Sequence, residues 1–310
     1  MPRMSWTPKL HTIIKSQSLQ NKIHENGYTI EGNIGEEKLA KLYGLYKELH
    51  QFKAPEGGNF YSLYSDDISY RKRVHDTIGE IMDPLYDSLF TSYKSVINSF
   101  IIKVPGPQSE FTLHQDSTGL DEMQYSSLSI WIPLQDTNLE NGTLCIIPKS
   151  HRFFHPYRGI SFSSSFAHFE DLLRTYLVPL DLKAGDIVLF DNRTVHYSHL
   201  NKSNADRVVV MSGLYPKEAN IEMCYRDESN PNNPIEIYQM EEDFLLTNTA
   251  FFKDCTARPA RGRVVKTVPP VEDKSAYEFM SYAATNNVQQ TNISELVNIK
   301  HTMNIVSEPV

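Results

Sequence analysis

Lys183-Ala184-Gly185-Asp186-Ile187-Val188-Leu189-Phe190-Asp191-Asn192-Arg193-Thr194-Val195-His196-Tyr197-Ser198 reads as a turn, an apolar strand, a polar turn, and a histidine entering a second strand. The same grammar recurs around it. Val96 to Val104 runs into Pro105-Gly106-Pro107, and Leu128 to Leu134 is a second β-rich run. Thr143 to Ile147 follows the turn signal Asn141-Gly142, and Arg207 to Tyr215 stops at Pro216. Many short strands with turns between them predict a sandwich or small barrel. Upstream, Leu39, Leu42, Leu45, Tyr46 and Leu49 recur at helical spacing between Glu36 and His50. A second helix is predicted from Ile68 to Tyr93, capped by Asp66 or Asp67 and kinked or split at Pro84. Helices first and strands later place the chain in the α+β class rather than α/β.

The 310 residues are room for one large domain or two ordinary ones. At 40% hydrophobic and 22% charged the composition is that of a globular chain, not a disordered one. A formal net charge of -8 argues against a global positive field for nucleic acid. The longest apolar runs, such as Val208 to Met211, are strand-sized, so no membrane span is expected. Met1 to Gln17 has no continuous apolar stretch of the secretory kind. Cys145, Cys224 and Cys255 are odd in number and widely spaced, which suggests neither a disulfide framework nor a zinc knuckle. A cytoplasmic setting is the expectation.

His151 to Pro179 is a long connection with a helix-like piece at Phe169 to Tyr176. Its aromatics Phe153, Phe154, Tyr157, Phe162 and Phe166 suit a lid over the barrel mouth, or a second small core. After Pro216 the strand pattern fades. Residues 217–310 are expected to be an extension packed on a catalytic unit of residues 1–216, with a turn at Asn230 to Pro234 and a helix near Glu236 to Leu246. Within it Lys253, Arg258, Arg261, Arg263 and Lys266 form a basic run relieved only by Asp254. It is read as a solvated face, or as a contact for an acidic substrate, a carrier protein or a partner subunit. The extension, with Phe251 and Phe252, is also a candidate surface for a homo-oligomer and for covering the pocket.

In Phe111-Thr112-Leu113-His114-Gln115-Asp116, His114 and Asp116 stand two apart, so in a strand both point to one face. An imidazole and a carboxylate there are two of the three ligands of a facial triad for Fe(II). Taken alone, the pair reads more readily as a surface strand pair. His196 is the candidate third ligand. Arg207 opens the next strand, and two adjacent antiparallel strands would set it beside His196 across the ladder. A guanidinium near a metal suits a chelating dicarboxylate whose far end it clamps.

Five ordered motifs carry a resemblance. They are His114-Gln115-Asp116, Trp131-Ile132-Pro133-Leu134-Gln135-Asp136, Glu140-Asn141-Gly142-Thr143-Leu144, Ile147-Pro148-Lys149-Ser150-His151-Arg152, and Gly185-Asp186 through His196 to Arg207. Over roughly residues 25 to 216 the chain resembles the phytanoyl-CoA dioxygenase family. That resemblance implies a double-stranded β-helix (jelly-roll, cupin-like) with flanking helices, and a small-molecule oxygenase using Fe(II), 2-oxoglutarate and O2. It implies His114, Asp116 and His196 as iron ligands and Arg207 as the 2-oxoglutarate anchor. Ser198 and Lys103 follow as further cofactor contacts, although a lysine placed like Lys103 is more often a strand-edge charge. Gln115, Trp131 and His151 are candidate pocket residues. Trp131 is otherwise core, and His151 otherwise turn chemistry. The carboxylate at Asp116 favours hydroxylation over halogenation, since related halogenases carry Gly or Ala there. Desaturation, epimerisation and ring formation would use the same ligands. A catalytically silent binding protein of this fold would have no need of all three ligands and Arg207. One departure is Lys149, where the family usually has Gly, which leaves the conformation of that turn open. His199 is expected on the opposite face from His196, and Cys145 as a small buried hydrophobe.

Overall fold

The computed structural model describes residues 9–49, 58–153, 155–248, 258–259 and 261–297. His50, Phe154, Phe251, Phe252, Lys253, Asp254 and Cys255, singled out above, lie outside them.

Three helices come first. α1 (Gln17–Asn26) is capped by the Ser16 hydroxyl, and α2 (Glu36–Leu49) buries Leu42, Leu45, Tyr46 and Leu49, the stripe its spacing predicts. α3 (Ile68–Leu89) is capped by Asp67, whose carboxylate accepts from the N–H groups of Ser69 and Tyr70 at 2.8 and 3.1 Å. Two expectations for α3 are corrected. It stops at Leu89, and Pro84 does not split it. Pro84 and Glu80 both lie on the exposed face, where solvent satisfies the carbonyl that the proline deprives of a partner. The buried stripe Val74, Ile78, Met82 and Tyr86 continues past it, and packing of that stripe outweighs the local cost.

Ten strands then build two facing antiparallel sheets. The larger holds β1 (Tyr28–Asn33), β2 (Asn59–Tyr61), β3 (Tyr93–Lys103), β5 (Leu128–Pro133), β8 (Asp186–Asp191) and β10 (Arg207–Pro216), in the order β1-β8-β5-β10-β3-β2. The smaller holds β4 (Phe111–His114), β6 (Leu144–Ile146), β7 (Val178–Pro179) and β9 (His196–Ser198), in the order β4-β9-β6-β7. This is the expected double-stranded β-helix, and each predicted strand run is a strand with shifted ends.

The two faces of the large sheet separate by residue parity. Phe100, Ile102, Ile130, Ile132, Ile187, Leu189, Val208 and Val210 pack against the helices. Their neighbours Ile101, Trp131, Val188, Phe190 and Val209 face the small sheet, where they meet Leu144, Ile146, Leu180 and Leu182. Both faces are covered, so these strands read as continuous apolar runs rather than as alternations.

Beyond Pro216 the strand pattern does not fade, contrary to expectation. β11 (Glu222–Tyr225), β12 (Ile235–Gln239) and β13 (Arg263–Val268) form a third antiparallel sheet. The first four residues of the helix expected near Glu236 to Leu246 belong to β12, and only its end, in α5 (Phe244–Thr247), is helical. Ile235 and Ile237 alternate into a small core with Cys224, so a period of two prevails there. Within the long connection lies α4 (Glu170–Arg174), and near the end come α6 (Ala276–Asn286) and α7 (Ser294–Val297). No described helix is long and apolar enough to cross a membrane.

The departure at Lys149 resolves as strain held in place. Lys149 adopts the left-handed conformation (φ 66°) that glycine favours. Its carbonyl accepts from Tyr282 Oη at 2.7 Å, and its Nζ donates to the Asn286 carbonyl at 2.8 Å, so α6 braces the turn.

Asp67→Ala should cost on the order of 1 kcal/mol by uncapping α3. Thermal unfolding should show a melting temperature lower by a few degrees, and Asp67→Asn should keep most of the loss from appearing.

Candidate active site

β4 and β9 are neighbours, and their register sets His114 opposite His196. Between the paired positions β4 runs from Phe111 to His114 while β9 runs only from Ser198 to His196. The extra residue bulges β4 and re-aims His114, whose ring centroid lies 4.1 Å from that of His196.

Asp116 reaches the same place by a different route from the one expected. β4 ends at His114, so strand alternation does not aim Asp116. It sits in the following loop, where Ser129 Oγ donates to its Oδ2 at 3.1 Å. Its Oδ1 lies 3.7 Å from Nε2 of both histidines. One ligand atom from each of the three side chains falls within 4.8 Å of the others.

Both imidazoles are held in one tautomer. His114 Nδ1 bonds the Thr112 carbonyl at 2.8 Å, and His196 Nδ1 bonds the Thr194 carbonyl at 2.9 Å. A carbonyl can only accept, so Nδ1 carries the proton and each Nε2 turns a lone pair towards Asp116. Burial, with His196 alongside, pushes His114 down to about 3, which keeps it neutral. Two imidazole nitrogens and a carboxylate oxygen on one side of a point are a donor set for a divalent first-row metal with open positions.

Arg207 lies on the inward parity of β10, but not beside His196 across a ladder. β9 belongs to the small sheet and β10 to the large one, so the two residues approach from opposite walls of the cavity. Arg207 is 3% exposed, sits 5.3 Å from the Trp131 ring, and donates from Nη1 to the Gly142 carbonyl at 3.0 Å. Its Nε has no hydrogen-bond partner among the described residues. Burial pushes the guanidinium down to about 10. A buried cation short of a counter-charge is costly, and an anion seated against it removes that cost. Ser198 Oγ donates to the same Gly142 carbonyl at 2.7 Å. At Gly142 (φ +74°) a Cβ would stand 2.3 Å from the His199 carbonyl, so only glycine fits this floor.

These residues line a cavity of ≈ 480 Å³. Gln115 and Trp131 line it as expected, and Gln115 Nε2 donates to the Arg193 carbonyl. The connection contributes Tyr157 and Phe162 to the wall, whereas Phe153 and Phe166 pack with Phe279 in a separate core. Those aromatics therefore divide between the cavity wall and a second core. From the extension, Arg226, Ile235, Val271 and Asp273 reach the wall.

Two expectations are corrected. Lys103 does not line the cavity. It is fully buried, and its Nζ donates to the Ser198 and His199 carbonyls at 3.1 and 2.6 Å. Register with Arg207 brings it to the right strand end, but those two carbonyls hold its ammonium among the backbone. His151 is 1% exposed and sits away from the cavity, with Nε2 on the His24 carbonyl at 3.1 Å. The described part of the basic run meets local partners, as a solvated face does. Arg258 pairs with Glu236, Arg261 with Glu241, Arg263 bonds Gln239, and Lys266 bonds Tyr157. His199 and Cys145 are both buried, as packing residues.

Ser129, Tyr61 and Arg158 also belong to the site and escaped the reading of the sequence. Ser129 carried a signal, being the polar residue at the inward parity of β5, in step with Trp131. Tyr61 lies on a three-residue strand with no pattern of its own, and Arg158 lies on a loop.

The model of the family described as Phytanoyl-CoA dioxygenase (PhyH) matches residues 23–209, more than half of the chain. The chain belongs to the phytanoyl-CoA dioxygenase family. Phytanoyl-CoA dioxygenase 1 of Oryza sativa subsp. japonica is 31% identical over 177 residues, which are 56% of this chain and 61% of that protein. The phytanoyl-CoA dioxygenase domain-containing protein 1 homolog of Dictyostelium discoideum is 30% identical over 151 residues, 46% of this chain and 51% of that one. The match thus spans about half to three fifths of the length of these relatives. Among solved structures, the epimerase SnoN in complex with Fe3+, alpha ketoglutarate and nogalamycin RO is similar at 18% identity and a TM-score of 0.49, covering 82% of this chain and 95% of that one. The alpha ketoglutarate dependent carbocyclase SnoK from nogalamycin biosynthesis is similar at 20% identity and a TM-score of 0.49, covering 66% and 86%.

Two outcomes follow from the corrected residues of this family member. Lys103→Met should strand two buried carbonyls and lower stability by about 1–3 kcal/mol, read by denaturant unfolding. His151 is pushed down to about 3 by burial, and His155 and His199 to about 4 for the same reason. In the unfolded chain these groups take up protons near their ordinary value of 6.5, so acid favours unfolding. Melting temperature should therefore fall as pH drops from about 6.5 towards 4, and His151→Gln should flatten part of that fall.

Proposed function

We propose that the chain is an Fe(II)- and 2-oxoglutarate-dependent dioxygenase that hydroxylates a small molecule. One observation carries the reading. The lone pairs of His114 and His196 converge with the Asp116 carboxylate on one side of a cavity whose floor holds a buried arginine short of an anion. Family membership supports the same chemistry.

His114, Asp116 and His196 would hold the iron. With 2-oxoglutarate and O2, the bound metal supplies an oxidation in which the cosubstrate is decarboxylated to succinate and one oxygen atom enters the substrate. The residues of this chain do the rest. The Thr112 and Thr194 carbonyls fix both imidazoles, so the ligand atoms are aimed before anything binds. Arg207 offers the charge, and its free Nε a hydrogen bond, to the far carboxylate of 2-oxoglutarate. The Ser198 hydroxyl beside it can turn its proton to the same group. Trp131 under the guanidinium keeps that end of the pocket dry, which strengthens the ion pair. The remaining cavity lies between Tyr61, Tyr64 and Phe111 on one side and Tyr157, Ile160 and Phe162 on the other. Its size suits a small molecule, and its walls suit one with an apolar body.

The wild-type chain, loaded anaerobically, should bind one Fe(II), and the His114→Ala, His196→Ala double variant should bind none. Stoichiometric iron in that variant would overturn the assignment. Arg207→Ala should keep its iron yet need at least tenfold more 2-oxoglutarate, the lost contact being worth on the order of 2–5 kcal/mol. Lys103→Met should leave that requirement near wild type. Succinate release across a substrate library reads the reaction, and a product heavier by one oxygen identifies hydroxylation.

A further inference from the structure

One side chain ties the cavity wall to the loop that carries Asp116. Arg158 comes from the connection between β6 and β7. Its Nε donates to the Asp116 main-chain carbonyl at 2.9 Å. Its two terminal nitrogens grip Glu122 at 2.8 and 2.6 Å, and Nη1 also donates to the His155 carbonyl at 2.8 Å. The main chains are laced together at the same point. Arg158 N–H donates to Thr118 Oγ1 at 2.9 Å, Thr118 N–H donates to the Arg158 carbonyl at 3.0 Å, and Thr118 Oγ1 donates to the Pro156 carbonyl at 2.6 Å. Glu122 is 3% exposed.

Asp116 needs such a tie. It lies beyond the end of β4, so no ladder hydrogen bond orients its peptide unit. Ser129 fixes one carboxylate oxygen and Arg158 fixes the carbonyl. Both ends of the residue are then held, one by the rigid large sheet and one by the wall. The planar fork reaches the Asp116 carbonyl from Nε while both terminal nitrogens hold the two Glu122 oxygens, a spread of fixed donors that the single nitrogen of a lysine does not reproduce. The buried pair with Glu122 is the geometry in which breaking one partner is costly.

We propose that Arg158 is a positioning residue that couples closure of the 155–166 wall to the aim of Asp116, with Glu122 locking the guanidinium in place. The proposal rests on the reading of Asp116 as a metal ligand. It implies a reciprocal effect, because linkage has no direction. Metal at the triad must tighten residues 155–166, although they supply no ligand.

The test is hydrogen exchange on the full chain, with and without Co(II) as the probe metal, for wild type, Arg158→Gln, Arg158→Lys and Glu122→Gln. In the metal-free protein, Arg158→Gln should speed exchange at least tenfold in both 115–123 and 155–166, while β3 and β10 keep their wild-type rates. Co(II) should slow exchange across 155–166 in wild type and not in Arg158→Gln. Affinity for Co(II) should fall about tenfold or more in Arg158→Gln, as for other groups that orient a ligand. Arg158→Lys should fail to restore it. Faster exchange confined to 155–166, or wild-type affinity with wild-type protection in Arg158→Gln, would overturn the proposal. If β3 and β10 also loosen in Arg158→Gln, the milder Glu122→Gln decides by the same readouts. Wild type that binds no Co(II) would overturn the metal reading instead, and the metal-free arm would still decide the tie between wall and loop.

Discussion

A strand can point successive side chains only to opposite sides, and the large sheet of this protein depends on that constraint. Its even-numbered residues on β3, β5 and β10 bury themselves against α1, α2 and α3, and its odd-numbered ones face the small sheet. Arg207, Trp131 and Ser129 all fall on the odd side, as do Ser99 and Met211 of the cavity wall. A slip of one residue in the register of β10 would send Arg207 into the helix-facing core and Val208 into the cavity. The apolar helix contacts therefore protect the position of a charged residue that they never touch.

Several charged groups buried within the sandwich are held by close polar neighbours. Lys103 is satisfied by the Ser198 and His199 carbonyls. Asp191 accepts from Arg193 and His11, and Arg193 reaches Ser126 as well. The Arg193 carbonyl in turn accepts from Gln115, next to the cluster of potential ligands. Arg207 differs in lining the cavity, where its guanidinium meets the Gly142 carbonyl and no carboxylate among the described residues. Two buried cations at the same strand end, Lys103 and Arg207, thus have opposite characters, one closed off by backbone carbonyls and one left open to the cavity.

The smaller sheet does a different job. β4, β6 and β9 are short, and their value lies in the bulge and the register that set His114 against His196. The connection and the extension then close over them. Part of each enters the cavity wall, and part forms a separate core in which Phe153 and Phe166 meet Phe279 of α6. Through Tyr282 and Asn286 the same helix braces the left-handed Lys149. A turn that glycine would make without help is thereby made by a lysine with tertiary support.

Much of this was legible in the residues themselves. Apolar runs closed by Gly and Pro turns announced β3, β5, β8 and β10, and the ordered motifs from His114 to Arg207 pointed to the family. What stayed hidden was whatever depends on partners distant in the chain. Pro84 reads as a break until the stripe beneath it is seen to pack. Glu236 to Leu246 reads as a helix until Ile235 and Ile237 find Cys224. Lys103 reads as a cavity residue until two carbonyls claim it, and the basic run leaves a solvated face and a docking contact both open until Glu236 and Glu241 are found beside it. The amino-acid order determined which side chains bear the chemistry, because residue type and local period are written in it. Only the tertiary structure decided that His196 and Arg207 meet from opposite sheets, and that Asp116 is aimed by Ser129 and Arg158, because those contacts join segments whose separation in the chain carries no local signal.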